Sequence, residues 1–224
     1  MEDKQLTPQE SMALISAMIQ QSKHRVGMAD IRISVMWGIL TIVTAIMVTV
    51  LLVTMRDPVY NYGWFAIPAI GIPLNILMLR GKAKPKARTF IDTVNDTIWK
   101  TVGYVGLVLC AACIIFNICG YPQAWLAMYY SAFIIVGFGA VATGAVIKEK
   151  SYIAGGAISI VAGFGIIILQ LCGFPLLVTW VMPVYIACFF LMFIVPAFII
   201  HRKLKNSAEL KNSILCSTRS SAWQ

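Results

Sequence analysis

The stretch that decides the fold is ISVMWGILTIVTAIMVTVLLVTM, residues 33–55, which contains no charged side chain. A helix needs about 20 mostly apolar residues to cross the hydrocarbon core of a bilayer. Strands of a transmembrane β-barrel alternate between apolar and polar residues, and this run does not alternate. The stretch therefore predicts a membrane-spanning helix.

Five similar runs follow, and none of the six contains Asp, Glu, Lys, Arg or His. The chain of 224 residues is 59% hydrophobic and 12% charged, whereas soluble proteins average about 45–50% and about 25%. The composition excludes an ordinary soluble domain. It predicts an all-α polytopic membrane protein whose six transmembrane helices form three helical hairpins. The predicted spans are residues 33–55, 59–79, 101–119, 125–147, 151–172 and 176–200.

The distribution of Lys and Arg orients these spans. Seventeen of the eighteen basic residues lie in the N-terminal segment, the second and fourth connections and the tail, and Arg56 is the exception. Lys and Arg near the ends of spans favour the cytoplasmic side. We therefore expect a multi-pass protein of the cell membrane with both termini in the cytoplasm. Topology also explains the formal net charge of +9, so no nucleic-acid partner is expected.

The chain divides into a cytoplasmic amphipathic segment (residues 1–32), a six-helix transmembrane domain (33–200) and a cytoplasmic tail (201–224). In the first part, Thr7, Pro8 and Glu10 form a capping signal for a helix. The apolar face of this helix fits either the membrane surface or a groove on a protein partner, and both alternatives stay open. A second amphipathic stretch, residues 89–100, precedes the third span.

A short motif recurs at the ends of the third and fifth spans. Residues 114–122 and 167–175 align at an offset of 53 residues, and each stretch ends in Gly, an aromatic residue and Pro. Gly favours a helix C-terminus and Pro favours a helix start, so each motif predicts a tight turn between two helices. Internal duplication and convergence on a favourable turn both explain the match.

Small residues recur at helical spacing on two neighbouring spans. Such residues let two backbones approach closely, so that dispersion holds the helices together. The fourth and fifth spans are therefore expected to pack on each other, with a contact between two copies of the chain as the alternative. The residues are Gly137, Ala140 and Gly144 in the fourth span and Gly155, Ser159 and Gly163 in the fifth.

Polar residues and prolines within the spans are the candidate functional positions. The polar ones fit either hydrogen bonds between helices or a polar path through the bundle. Each proline removes a helical hydrogen bond and bends the helix, which fits either a gate or a static kink. The polar candidates are Asn75, Asn117 and Gln170, and the candidate kinks are Pro68, Pro73, Pro183 and Pro196.

A basic cluster follows the second span, with a cation at every second residue. Clusters of this size attract anionic lipid with about 1 kcal/mol per cation. The simplest role of the cluster is to hold the connection in the cytoplasm, and contact with anionic lipid is the more specific one. Its members are Arg80, Lys82, Lys84, Lys86 and Arg88.

The sequence lacks the residues that ion transport, catalysis or metal binding within the membrane usually require. Intramembrane carboxylates or histidines usually mark ion paths or active sites, and the predicted spans contain neither. Cys110 and Cys113 form a C-x-x-C pattern within the third span and are interpreted as packing residues. Cys119 and Cys172 occupy equivalent outward positions in the repeat, which makes them a candidate disulfide. No catalytic residue, cofactor or metal ion is predicted.

One group of residues near the N-terminus carries a resemblance to a known class of proteins. The group is Glu10-Ser11, Ile15, Met18-Ile19 and Trp37-Gly38. These residues resemble the opening of uncharacterised small multi-span bacterial inner-membrane proteins, which begin with a short amphipathic helix that runs into a first span. The resemblance covers the N-terminal part only. It implies a bacterial inner membrane and no particular activity.

Two classes of function remain. The first is a non-enzymatic scaffold, sensor or regulatory partner that acts through its cytoplasmic amphipathic helices on a membrane protein, a cytoplasmic protein or a second copy of the chain. The alternative is a small permease or channel subunit that passes a neutral or polar solute between the Pro-kinked second and sixth spans.

Overall fold

Residues 28–80 and 90–206, with the single position Met12, are described by a computed structural model of the chain. These residues form helices joined by short turns, with no β-strand among them. Six of the helices are long and apolar enough to cross a membrane, which confirms the prediction of six apolar spans. The helix predicted from Thr7, most of the basic cluster (Lys82, Lys84, Lys86 and Arg88) and the tail beyond Asn206 lie outside the described residues.

The helices are rich in Val, Ile and Thr, which are weak helix formers in water. In an apolar medium every backbone N–H and C=O must be paired within the segment, so the helix prevails. The elements are α1 (Met28–Met55), a 3₁₀ segment (Pro58–Phe65), α2 (Ala66–Arg80), α3 (Phe90–Ile118), a short 3₁₀ turn (Pro122–Trp125), α4 (Leu126–Ile147), α5 (Lys150–Leu171) and α6 (Val178–Asn206), the last with a π-helical turn at Phe190–Ile194.

Helix α3 begins at Phe90, eleven residues before the third predicted span. Residues 90–100 of the second amphipathic stretch therefore belong to the same continuous helix as the span. Between Phe90 and Val102 the sequence contains neither Gly nor Pro, so no residue interrupts the backbone ladder. An ion pair between Asp96 and Lys100, one turn apart at 2.9 Å, supports the first turns of this helix.

The six helices are arranged so that α6 lies in the middle. Helix α1 packs on α2 and α6, α5 packs on α6 and α4, and α3 packs on α4. The neighbour order is therefore α2, α1, α6, α5, α4, α3. Residues buried most deeply include Phe133 on α4 and Met182 and Met192 on α6.

Side-chain hydrogen bonds identify one end of the bundle, which we call the basic end. Ser34 Oγ on α1 and Tyr152 Oη on α5 are 2.7 Å apart. Thr143 Oγ1 on α4 donates to Asn95 Oδ1 on α3 at 2.9 Å. Lys203 Nζ at the end of α6 lies 2.6 Å from Glu149 Oε1 in the α4–α5 turn. Exposed cations at this end are Arg32, Arg80, Lys100, Lys148, Lys150, Arg202, Lys203 and Lys205.

The opposite end, which we call the turn end, contains the other three connections that the structure describes: α1 to α2, α3 to α4 and α5 to α6. Two of them repeat the same geometry: Gly120 has φ +92° and Gly173 has φ +80°, values that favour glycine. The N–H of Tyr121 donates to the carbonyl of Phe116 at 2.9 Å, and the equivalent bond in the other turn is 3.0 Å long. This pairing is a Schellman cap. The predicted tight turns are thus present in both copies of the motif.

Helices α4 and α5 form the closest pair, as the small residues predicted. A Cβ added to Gly156 would lie 2.5 Å from the carbonyl oxygen of Gly137, and one added to Gly163 would lie 2.8 Å from Cβ of Phe133. Ser159 Oγ donates to the carbonyl of Phe133 across the same interface at 3.0 Å. Only residues without a large side chain allow this approach.

The sequence pattern placed Gly155 on the face of α5 that packs on α4, and this prediction is wrong. A Cβ on Gly155 would lie 2.5 Å from the carbonyl oxygen of Leu191, so this glycine faces α6. Its neighbour Gly156 takes the place on the α4 side. One residue rotates the direction of a helix side chain by about 100°, and a small residue at either position fits the spacing with Ser159 and Gly163.

Candidate functional site

A cluster of buried aromatic and polar side chains forms where the 3₁₀ segment meets α4 and α6 at the turn end. Asp57 caps the segment, with its Oδ1 accepting from the N–H of Val59 at 2.8 Å. In a 3₁₀-helix, residues three apart share one face. Asn61 and Trp64 therefore both point into the bundle, where each is less than a tenth exposed.

Tyr129 on α4 is the partner of both side chains. Its hydroxyl donates to Asn61 Oδ1 at 3.1 Å. Its ring contacts Trp64 edge to face at a centroid distance of 6.0 Å. Trp64 contacts Tyr185 on α6 in the same way at 5.4 Å. The 3₁₀ segment is thereby joined to two helices that are distant in sequence.

An aromatic column continues from this cluster along α6. Tyr185, Phe189 and Phe193 are spaced by four residues, so they stack on one helix face. Their centroids are 4.3 Å and 6.0 Å apart. Trp99 on α3 contacts Phe193 at 5.6 Å. The column is flanked by α1, α4 and α5 and fills the middle of the bundle with apolar rings.

A small cleft lies beside the cluster, between α4 and the beginning of α6. Its walls include Leu126, Tyr129, Leu176 and Met182, and its volume is about 10 Å³. One water molecule needs about 10–15 Å³ of such volume. The cleft therefore has room for one water at most.

The structure does not bring the three polar candidates together. Asn117 lies near the turn end of α3, where its Nδ2 donates to Tyr62 Oη at 3.4 Å. Gln170 is exposed near the end of α5. Asn75 lies on α2, which packs on α1 and the 3₁₀ segment. Asn117 thus joins two elements, but its partner is Tyr62 and not Gln170.

Asn75 has one feature that it shares with the indole N–H groups of Trp64 and Trp125. Its Oδ1 is buried and has no hydrogen-bond partner among the described residues. A buried polar atom without a partner typically costs about 1–3 kcal/mol. Two residues before it, Pro73 interrupts the ladder of α2.

The four candidate kinks have different surroundings. Pro68 lies in the first turn of α2, where its missing N–H has no helical partner to lose. Pro73 and Pro183 lie within helices, and both are exposed on the outer surface of the bundle. Pro196 is fully buried, and one residue, Val195, separates it from the π-helical turn at Phe190–Ile194.

The other sequence candidates lie at the two ends. Arg80, the last residue of α2, is exposed and is the one described member of the basic cluster. Cys119 and Cys172, the candidate disulfide, are free and exposed thiols at the turn end in this structure. Their helices, α3 and α5, each pack on α4, which lies between them.

Comparison of the chain with known proteins identifies no relative from which a function could be inferred. No protein-family model, no curated protein and no solved structure matches the chain. Its site must therefore be interpreted from its own residues. In the described ranges no group of three or more His, Cys, Asp or Glu side chains is placed to hold a metal ion.

Sequence reasoning missed the contacts between distant residues. Asn61 lies between Pro58 and Gly63, and this pattern indicates a turn but does not identify Tyr129 as the partner of Asn61. The spacing of Tyr185, Phe189 and Phe193 was available as a signal, since four-residue steps place side chains on one helix face. The contact of Cys110 Sγ on α3 with Met128 Sδ on α4 was not predictable, because it depends on how the two helices pack on each other.

Proposed function

We propose that this chain is a multi-pass protein of a bacterial inner membrane, with both termini in the cytoplasm, and that it acts as a non-enzymatic scaffold, sensor or regulatory partner. The observation that carries the proposal is the aromatic column of Tyr185, Phe189 and Phe193, which fills the middle of the bundle. A bundle closed in this way offers a partner its surfaces and ends rather than an internal path.

The basic end supports the assigned orientation. It contains the ends of α1 to α6 that carry Lys and Arg in the described residues, and cations favour the cytoplasmic side. An impermeant maleimide added to intact cells tests this orientation. Cys119 and Cys172 at the turn end are expected to react from outside, whereas Cys216 in the tail is expected to react only after the membrane is opened. Labelling of Cys216 in sealed cells contradicts the orientation.

Partner binding is tested at Met12, whose side chain is 72% exposed. A photocrosslinking residue at this position is expected to capture a discrete protein in living cells. Deleting residues 1–21 from an otherwise intact chain is expected to abolish co-purification of that protein. The matched control is the same photocrosslinker at Val161, also 72% exposed but in the middle of α5, where lipid is expected. Equal protein adducts at both positions, or adducts at neither, contradict the scaffold.

A small permease is the second candidate, and the unpartnered Oδ1 of Asn75 favours it. A solute hydroxyl or amide would satisfy this atom, and the exposed Pro73 gives the same helix a break in its backbone ladder. The test is Asn75→Leu in proteoliposomes loaded with small neutral solutes. A loss of flux with unchanged or raised thermal stability supports a permease, whereas flux equal to that of empty liposomes for the unaltered protein eliminates it.

A further inference from the structure

Three sulfur atoms lie along the interface between α3 and α4. Cys110 Sγ is 3.9 Å from Met128 Sδ. Cys113 Sγ is 3.3 Å from the carbonyl oxygen of Ala124, and Ala124 lies about one turn before Met128. Both thiols of the C-x-x-C pattern therefore face the same strip of the partner segment. Cys113 is 2% exposed, and Cys110 and Met128 are half-buried.

The sulfurs of Cys110 and Met128 form an S–H···S contact, and their separation also suits two sulfurs that share one metal ion. Metal–sulfur bonds are about 2.3 Å long, so two sulfurs on one ion lie about 3.8 Å apart in a tetrahedral site and about 4.0 Å apart in a trigonal one. The distance from Cys110 to Met128 falls between these values. It joins residues of two helices, so it does not follow from the C-x-x-C spacing.

The donor set determines which ion fits. Thiolate and thioether ligands select Cu(I), whereas structural zinc takes four ligands from Cys, His and carboxylates. The described residues offer no group of three or more such zinc ligands. With the Cys113 thiol turned from the carbonyl of Ala124 toward the ion, two thiols and a thioether would give a three-coordinate sulfur site, a composition that suits a soft monovalent ion.

We propose that Cys110, Cys113 and Met128 form a Cu(I)-binding site within the membrane. Binding replaces the two S–H protons with two Cu–S bonds and adds a bond from the thioether, and no electron is transferred. Two protons leave as one Cu(I) enters, so the site changes from neutral to a net charge of −1. Cys113 lies little more than one turn from Ile118, the last residue of α3, so ions and protons have a short route to the turn end. This site is independent of the scaffold function.

The test uses the full chain purified in detergent, without oxygen, with Cu(I) supplied as its bicinchoninate complex. Ser replaces the four other cysteines, which are Cys119, Cys172, Cys188 and Cys216. Any Cu(I) that is bound through a thiol is then bound by Cys110 or Cys113. One Cu(I) per chain is expected, with X-ray absorption showing three sulfurs at about 2.3 Å. Cys110→Ser and Cys113→Ser are each expected to weaken binding at least 100-fold. Met128→Leu is expected to retain Cu(I) with two sulfurs and lower affinity.

The single variant Cys188→Ser serves as the matched control, because Cys188 is a buried free thiol on α6 outside this interface. It is expected to bind Cu(I) as tightly as the unaltered chain. Undiminished binding by a chain that carries Cys110→Ser and Cys113→Ser together, or a preference for Zn²⁺ over Cu(I), overturns the proposal.

A second measurement avoids any variant that fails to fold. Native membranes are treated with an alkylating reagent with and without the Cu(I) complex, and peptide mass spectrometry measures the modification of each cysteine. Cu(I) is expected to protect Cys110 and Cys113 several-fold, while Cys119 at the exposed helix end reacts equally in both samples. Equal alkylation of Cys110 and Cys113 with and without Cu(I) overturns the proposal.

Discussion

The backbone N–H of Val195 donates to the carbonyl oxygen of Phe190, five residues earlier. An α-helix would use a partner four residues earlier. The proline that follows, Pro196, has no N–H and its ring crowds the carbonyl four residues before it, which is that of Met192. A π-helical turn absorbs this conflict within the helix. The adjustment lies beside Phe193, in the middle of the bundle.

Replacing Pro196 with Ala is therefore expected to close the π-helical turn. The residues after it would rotate by about 100° relative to α5, and Lys203 would leave Glu149. The readout is disulfide crosslinking between cysteines introduced at positions 149 and 203, which should fall several-fold in the Ala variant. Pro183→Ala is the control, because Pro183 is exposed and has no π-helical turn next to it. Equal crosslinking with Ala and with Pro at position 196 contradicts this account.

Gly156→Ala is expected to destabilise the bundle. The added Cβ would lie 2.5 Å from the carbonyl oxygen of Gly137, and overpacking of this kind typically costs about 1–3 kcal/mol. Unfolding in mixed micelles of increasing SDS content measures the change. Gly165→Ala on the same helix is the control, since a Cβ there would meet no atom within 4 Å. A destabilisation equal to that of the control would show that the α4–α5 interface tolerates the methyl group.

Tyr129→Phe removes the hydroxyl that donates to Asn61 while keeping the ring against Trp64. Hydrogen bonds between membrane helices average about 0.6 kcal/mol, with a maximum of about 1.7 kcal/mol. The expected loss of stability lies in this range, measured by the same SDS titration. The control is Tyr104→Phe on α3. The Tyr104 side chain is 68% exposed, so this change should alter the stability little. If the two variants behave alike, the buried bond contributes nothing to the fold.

The ion pair between Lys203 and Glu149 is expected to contribute little despite its 2.6 Å length. The Lys203 side chain is 61% exposed, and pairs in such positions are typically worth about 0–1 kcal/mol. A double-mutant cycle of Glu149→Gln and Lys203→Gln at two salt concentrations measures the coupling, which should fall as salt rises. A coupling that exceeds this range and ignores salt would mean that the pair is shielded from water.

The six spans were predictable because a charge-free run of sufficient length has few alternatives to a membrane helix. The tight turns were predictable for a similar reason, since Gly120 and Gly173 occupy backbone angles that favour glycine. The register of α5 was not predictable: Gly155 and Gly156 are both small, and only the position of α6 decides which one faces α4. The candidate polar path was deduced from residue types alone, and the contacts of Asn117 with Tyr62 became known only from the packing.

The central position of α6 has a consequence for how the protein is made. A ribosome produces α6 after the other five helices, yet its neighbours on either side are α1 and α5. Until it arrives, the helices that pack on each other are α1 with α2 and α3 with α4 and α5, and the two groups share only side-chain contacts such as Ser34 with Tyr152 and Tyr129 with Asn61. The aromatic rings of α6 enter the membrane after the other five described helices, so the packing of the bundle depends on α6 inserting between partners that are already made.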